Sequence, residues 1–286
     1  MVIKKREIVL KCVAAMLAFV IFGILVAGAK EYDKGKDTTY KIVCLGDSNL
    51  GNVQDRTGVV SLLEKRIGQP VLNGAFGGST MTSIYGDKTD YSPALSMFQI
   101  ATSICNKNFG VQKSAIDTLS RTNDLDYFKS SMDKLSDVDF KEVEILIIEH
   151  GINDYFYGIT VENARDLYDV NTFSGALRNV LTMLKREYPD MRIILVTPSY
   201  CAPVSEDEGY RHCDIYNYGG GYLEDYVNVE LEIAKEFGVE VIDLYHEKDI
   251  NEGNFNEYLY DGLHYNDYGR EVVADIIADY LLGETK

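Results

Sequence analysis

Four short segments of this chain carry side chains that together could perform acyl transfer. Gly46-Asp47-Ser48-Asn49 presents a serine in a glycine-led turn. Asn73 to Thr80 is a glycine-rich loop, Gly151-Ile152-Asn153-Asp154 offers a side-chain amide, and Asp261-Gly262-Leu263-His264 sets a carboxylate three residues before an imidazole. A serine hydroxyl is a poor nucleophile until a base takes its proton. The base needs an orienting carboxylate, and the oxyanion that develops needs fixed hydrogen-bond donors. Ser48 is the candidate nucleophile, His264 the base and Asp261 the orienter. The candidate donors are the backbone N–H groups of Ser48 and of a loop glycine, with the Asn153 amide. The spacing of Asp261 and His264 lets both project from one turn, Nδ1 toward the carboxylate and Nε2 toward Ser48. This chemistry needs no metal or cofactor, and a chain with 4 histidines and no H-E-x-x-H offers no competing zinc constellation.

The elements that must position these segments alternate short β-branched runs with helical periodicity, the pattern of an α/β fold with a parallel sheet. Strands are expected at Lys41 to Leu45, Pro70 to Asn73, Glu144 to Glu149, Arg192 to Thr197 and Glu240 to Leu244. Several are almost wholly apolar, as strands covered on both faces should be. Phe173, Ala176, Leu177, Val180, Leu181 and Leu184 repeat at helical spacing before Pro189. Gly68 and Gly238 each follow a periodic segment where a left-handed cap is wanted. Reactive groups of open α/β sheets lie just beyond the carboxyl ends of the strands. The first three segments fall at such ends, and the fourth precedes the last helix. Residues 83–140 fit the alternation least well and read as a helical insertion, with pieces around Ala94 to Ile104 and Leu125 to Leu135. It either shapes a pocket or forms a solvated cap.

Each fragment alone is bland, since Gly-Asp-Ser is a common turn composition and Asn-Asp after a strand usually caps a loop. Their order along one chain carries the weight. Asp47 and Asp154 read as turn acceptors outside the catalytic set. His150 reads as packing within its strand, and His212 and His246 have no motif around them.

The four segments resemble the blocks of the SGNH hydrolases, also called GDSL esterases and lipases, from Tyr40 to about Leu282. The first block departs from the common pattern in carrying Asn49 after Gly46-Asp47-Ser48. The resemblance implies a flavodoxin-like three-layer sandwich with a five-stranded parallel sheet in order 2-1-3-4-5, and ester hydrolysis through an acyl-serine. It assigns the loop donor to Gly78, with Gly77 as the alternative. No G-x-S-x-G elbow is present, as an ordinary α/β-hydrolase would have.

Residues 1–29 read as an N-terminal signal-anchor or signal peptide. Lys4, Lys5, Arg6 and Lys11 precede an uncharged run from Cys12 to Ala29, which as a helix would span roughly 27 Å. Ala27-Gly28-Ala29 also fits a cleavage site. The basic side should stay in the cytoplasm, leaving the domain of residues 40–286, after a linker at 30–39, on the outer side. The expected location is therefore the cell membrane, or secretion after cleavage near Ala29. The formal charge is −17, and without residues 1–29, which hold four basic and one acidic side chain, it is −20. Such a surface repels phosphate backbones and argues against nucleic acid as a partner. Cys201 and Cys213 bracket a polar loop that a disulfide could close, contributing about 3 kcal/mol.

The expected function is an extracytoplasmic serine esterase acting on small acyl esters, with O-acetyl groups on carbohydrates as the substrate class an outward-facing enzyme would meet. A lipase, a thioesterase or an O-acyltransferase could use the same triad, and a non-catalytic surface binding protein could keep the fold.

Overall fold

A computed structural model of the chain describes residues 39–83, 93–119, 125–205, 209–246 and 250–283. Five strands form its parallel sheet: β1 Ile42–Gly46, β2 Val71–Asn73, β3 Ile145–Glu149, β4 Arg192–Val196 and β5 Glu240–Ile242. Their order is β2-β1-β3-β4-β5, as the resemblance implied. In register, Val43 lies beside Leu72 on one side and Leu146 on the other, and Leu146 beside Ile193. Val43 and Leu146 are both 0% exposed, so the strands are apolar because both faces are covered.

The strand limits differ from expectation by one or two residues, for local reasons. Lys41 stays outside β1, its ammonium 3.1 Å from Glu142 Oε2 and 3.4 Å from Glu144 Oε1. Pro70 has no N–H to give a ladder, and the next residue, Val71, donates its N–H to Glu64 Oε2 at 2.9 Å. β5 stops at Ile242 because Asp243 turns the chain, its Oδ1 accepting the N–H of His246 at 3.0 Å.

The helices are α1 Ser48–Gly51, α2 Val59–Ile67, α3 Met97–Asn106, α4 Gly110–Thr118, α5 Leu125–Ser136, α6 Ile152–Phe156, α7 Phe173–Glu187, α8 Leu223–Phe237, α9 Phe255–Tyr258 and α10 Asp267–Leu282. α2 packs on α10, while α7 packs on both α3 and α8. These two groups make the outer layers of the sandwich. The expected glycine stops are present, Gly68 at φ 72° after α2 and Gly238 at φ 60° after α8. Leu177, Val180, Leu181 and Leu184 of α7 are all 0% exposed, the apolar stripe that its periodicity required.

The insertion holds α3 and α5, as expected, and between them α4, which the sequence did not set apart. α3 ends at Lys107 in the left-handed conformation, φ 52°, so a residue other than glycine marks the stop. The insertion reaches the glycine-rich loop after β2, for the Tyr127 hydroxyl of α5 accepts the Gly77 N–H at 2.8 Å. Residues 84–92 and 120–124 lie outside the described residues.

The N-terminal segment 1–29 also lies outside them, and among the described residues no helix is long and apolar enough to cross a membrane. Cys201 and Cys213 do not form the disulfide that their spacing suggested. Both are buried free thiols, with the Cys201 N–H directed at Cys213 Sγ at 3.4 Å. The loop they bracket is closed by main-chain bonds instead, Cys213 N–H to Cys201 O at 3.0 Å and Arg211 N–H to Pro203 O at 2.9 Å.

Candidate active site

The four segments converge beyond the carboxyl ends of the strands. Ser48 opens α1 directly after β1, and Asp47 caps that helix by accepting the Asn49 N–H on Oδ1 at 2.9 Å. The first residues of a helix have no intrahelical acceptor for their N–H groups, and that of Ser48 stays unbonded among the described residues. His264 Nε2 stands 3.0 Å from Ser48 Oγ, and His264 Nδ1 stands 2.6 Å from Asp261 Oδ2. The other oxygen of Asp261 accepts the N–H groups of His264 at 2.7 Å and Leu263 at 3.0 Å. Burial opposes ionisation of Asp261, but these hydrogen bonds, led by the His264 side chain, outweigh it and hold the carboxyl below its ordinary range. An ionised carboxylate on Nδ1 keeps the imidazole in the tautomer whose Nε2 can take the serine proton.

The glycine-rich loop is fixed at both ends. Gly74 N–H and Phe76 N–H donate to Cys44 O at 2.8 Å and Gly46 O at 2.9 Å, tying it to β1. Asp154 accepts Met81 N–H at 2.7 Å, Thr82 N–H at 3.1 Å and the Thr82 hydroxyl at 2.9 Å. Between these anchors the two candidate glycines differ. The Gly77 N–H is taken by Tyr127, whereas Gly78, at φ 78°, has an N–H with no acceptor among the described residues. That geometry favours Gly78 as the donor. Asn153 arrives on α6 with its amide already engaged, Nδ2 donating to Ser79 O at 2.9 Å and to Asp47 Oδ2 at 3.2 Å. The Ser79 bond fixes the amide next to Gly78. Both hydrogens of this planar amide are thus engaged within the protein.

Beneath Ser48 lies a carboxyl pair that sequence reading treated only as a turn residue and a strand end. Asp47 is 0% and Glu149 2% exposed. Burial, opposed by its hydrogen bonds, pushes the Asp47 carboxyl up to about 6. Burial, reinforced by the Asp47 charge, drives Glu149 well above the carboxylate range. Both shifts favour the neutral forms of the two buried carboxyls, and Asp47 Oδ2 also accepts from the Asn153 amide at 3.2 Å. His150 is 2% exposed, and burial lowers it to about 3, so it is neutral packing, as its place in the strand suggested.

A second Asp-x-x-His turn follows β5, and the sequence carried its spacing without the significance being read. His246 Nδ1 lies 2.6 Å from Asp243 Oδ2, and Asp243 Oδ1 lies 3.3 Å from the Thr197 hydroxyl. His246 Nε2 faces Glu224 Oε1 at 3.8 Å. Among the described residues, no group of three or more His, Cys, Asp or Glu side chains is arranged to hold a metal.

Comparison with known proteins agrees with this arrangement. Residues 44–272 match the model of the GDSL-like lipase/acylhydrolase family. The chain is 29% identical over 115 residues to the isoamyl acetate-hydrolyzing esterase 1 homolog of Mus musculus, 38% of this chain and 45% of that protein. The human homolog matches with the same identity and coverage. The match thus spans just under half the length of these curated relatives. Among solved structures, a protein from Lactobacillus plantarum superposes with TM-score 0.59 at 19% identity, over 87% of this chain and 99% of that one. A possible lipase from Chitinophaga pinensis superposes with TM-score 0.53 at 20% identity, over 85% and 98%. At these identities the structures speak to the fold, while the family model covers all four site segments. The chain belongs to the GDSL-like lipase/acylhydrolase family.

Proposed function

We propose that this protein is a serine esterase that removes short acyl groups, O-acetyl groups on carbohydrates in particular, on the outer side of the cell membrane. The observation that carries the chemistry is the continuous array Asp261–His264–Ser48, with bonds of 2.6 and 3.0 Å, together with the N–H groups of Ser48 and Gly78, which have no acceptor among the described residues. Ser48 Oγ attacks the acyl carbon as its proton passes to His264 Nε2. The oxyanion is held by the Ser48 and Gly78 N–H groups and the Asn153 amide. His264 then returns the proton to the alcohol oxygen as the ester bond breaks, and water repeats the sequence on the acyl-serine.

Acetate as the acyl group is favoured by the curated relatives, whose name refers to an acetate ester. Carbohydrate as the alcohol follows from the outward orientation implied by Lys4, Lys5 and Arg6 ahead of the uncharged run 12–29. The test is a set of p-nitrophenyl esters of two, four and eight carbons, followed by mono-O-acetylated sugars. The reading expects kcat/KM to fall with chain length and free acetate to be released from the sugars. A preference for the eight-carbon ester would overturn it. Protease accessibility of residues 40–286 on intact cells tests the location, and a domain digested only after lysis would contradict it.

A further inference from the structure

Tyr260 has no part in the chemistry above, yet it lies against His264. The two rings stack with centroids 5.7 Å apart and planes 19° from parallel. The ring is 64% exposed, and its hydroxyl makes no hydrogen bond among the described residues. An aromatic ring that wide open gains little from folding.

Its main chain is nevertheless held in place. Tyr260 N–H donates to His264 O at 3.0 Å, and Leu259 pairs with Tyr265 across the same turn. At the tip of that turn Gly262 takes φ 78°, and a Cβ there would lie 2.0 Å from Ala202 O. The Ala202 N–H donates to Gly262 O at 2.7 Å. One residue past Pro203, Val204 pairs with Tyr210, and these two are 63% and 47% exposed.

The direction of proton transfer says what should lie there. The oxyanion points to the donors at Ser48, Gly78 and Asn153, whereas the departing alcohol oxygen must lie within reach of His264 Nε2, which protonates it. The alcohol, not the acyl chain, is thus the part of the substrate that passes Tyr260. A flat, exposed tyrosine face on a bonded turn suits a ring, whose C–H face can lie on the π system.

We propose that Tyr260 forms the wall of the leaving-group subsite, on which the ring of a carbohydrate alcohol stacks while His264 protonates the ester oxygen. This rests on the esterase reading and adds the residue that would choose the alcohol. The experiment uses the full chain, with kcat and KM measured on ethyl acetate, phenyl acetate and a mono-O-acetyl methyl xyloside. Wild type is compared with Tyr260→Ala and Tyr260→Phe, and the rate at which diethyl fluorophosphate labels Ser48 reports whether His264 is still held. In Tyr260→Ala we expect kcat/KM for the two ring esters to fall about 3- to 10-fold further than for ethyl acetate, through KM. Tyr260→Phe should restore the ring preference. An equal loss on all three esters, matched by slower labelling, would mean that the ring only positions His264 and would overturn the subsite. No loss on any ester would overturn it too. Wild-type turnover of phenyl acetate without the xyloside would refute carbohydrate as the alcohol, and the phenyl-to-ethyl ratio would still judge Tyr260 as a ring platform. If wild type hydrolyses none of the three, the esterase reading itself fails.

Discussion

Two turns of this molecule have the same local design and different surroundings. In Asp261-Gly262-Leu263-His264 and Asp243-Leu244-Tyr245-His246, the first carboxylate accepts the backbone N–H of the histidine three residues on, at 2.7 and 3.0 Å. In both it also meets Nδ1, at 2.6 Å. They part company at Nε2, which faces Ser48 Oγ at 3.0 Å in one and Glu224 Oε1 at 3.8 Å in the other. The spacing builds an Asp–His dyad wherever it occurs. Only a serine delivered by a separate element, the β1–α1 junction, turns a dyad into a candidate catalytic array. The second turn uses the same bonds to end β5 and to tie it to Thr197.

Removing the groups in which the two turns differ should have the largest effects. Ser48→Ala and His264→Ala should each lower kcat on an acetate ester by about 10⁶, and the double variant should lose no more than either, because the pair acts as a unit. Asp261→Asn should cost about 10⁴ by presenting the wrong imidazole tautomer, read as kcat at constant fold by circular dichroism. Asn153→Ala should cost about 10²–10³ in kcat as an oxyanion donor is lost. A loss under threefold would leave the amide with only its structural bonds to Ser79 and Asp47.

His246→Ala, in contrast, should leave kcat within twofold. Its pair is partly exposed, so urea melts should show a loss within about 1 kcal/mol. A large drop in kcat there would erase the distinction drawn between the two turns.

A separate expectation concerns the pH dependence of stability. Burial pushes the Asp154 carboxyl up to about 7 from its ordinary 3.8. A carboxyl raised in the folded state contributes stability that is fully present below its unfolded value and is lost as pH rises through the folded one. Glu149 and Glu230, also raised mainly by burial, act in the same sense. Melting temperature should therefore decline between pH 5 and 8, with a shallower slope in Asp154→Asn.

Much of this was legible in the sequence because the information is local. Strands covered on both faces must be apolar runs, and the three-residue spacing of Asp261 and His264 dictates their pairing. The illegible parts depend on contacts between distant segments. Tyr127 lies in the insertion, and only the fold brings its hydroxyl to Gly77, which separates the two candidate glycines. Asp47 is the turn acceptor that its motif suggests, but its burial beside Glu149 depends on a distant strand. Tyr260 was one of 21 tyrosines, and nothing in its neighbours announces a ring lying open beside the imidazole. Spacing alone leaves the pairing of Cys201 and Cys213 open, because disulfide geometry depends on how the two ends of the loop are held; both are buried free thiols.

The central claim is that His264 activates Ser48 and no other serine. Incubating the protein with a fluorophosphonate probe and mapping the adduct by peptide mass spectrometry tests it directly. One adduct per chain is expected, on Ser48, lost in His264→Ala and retained in His246→Ala. A folded protein that stays unlabelled, or one labelled at a different serine, would contradict it.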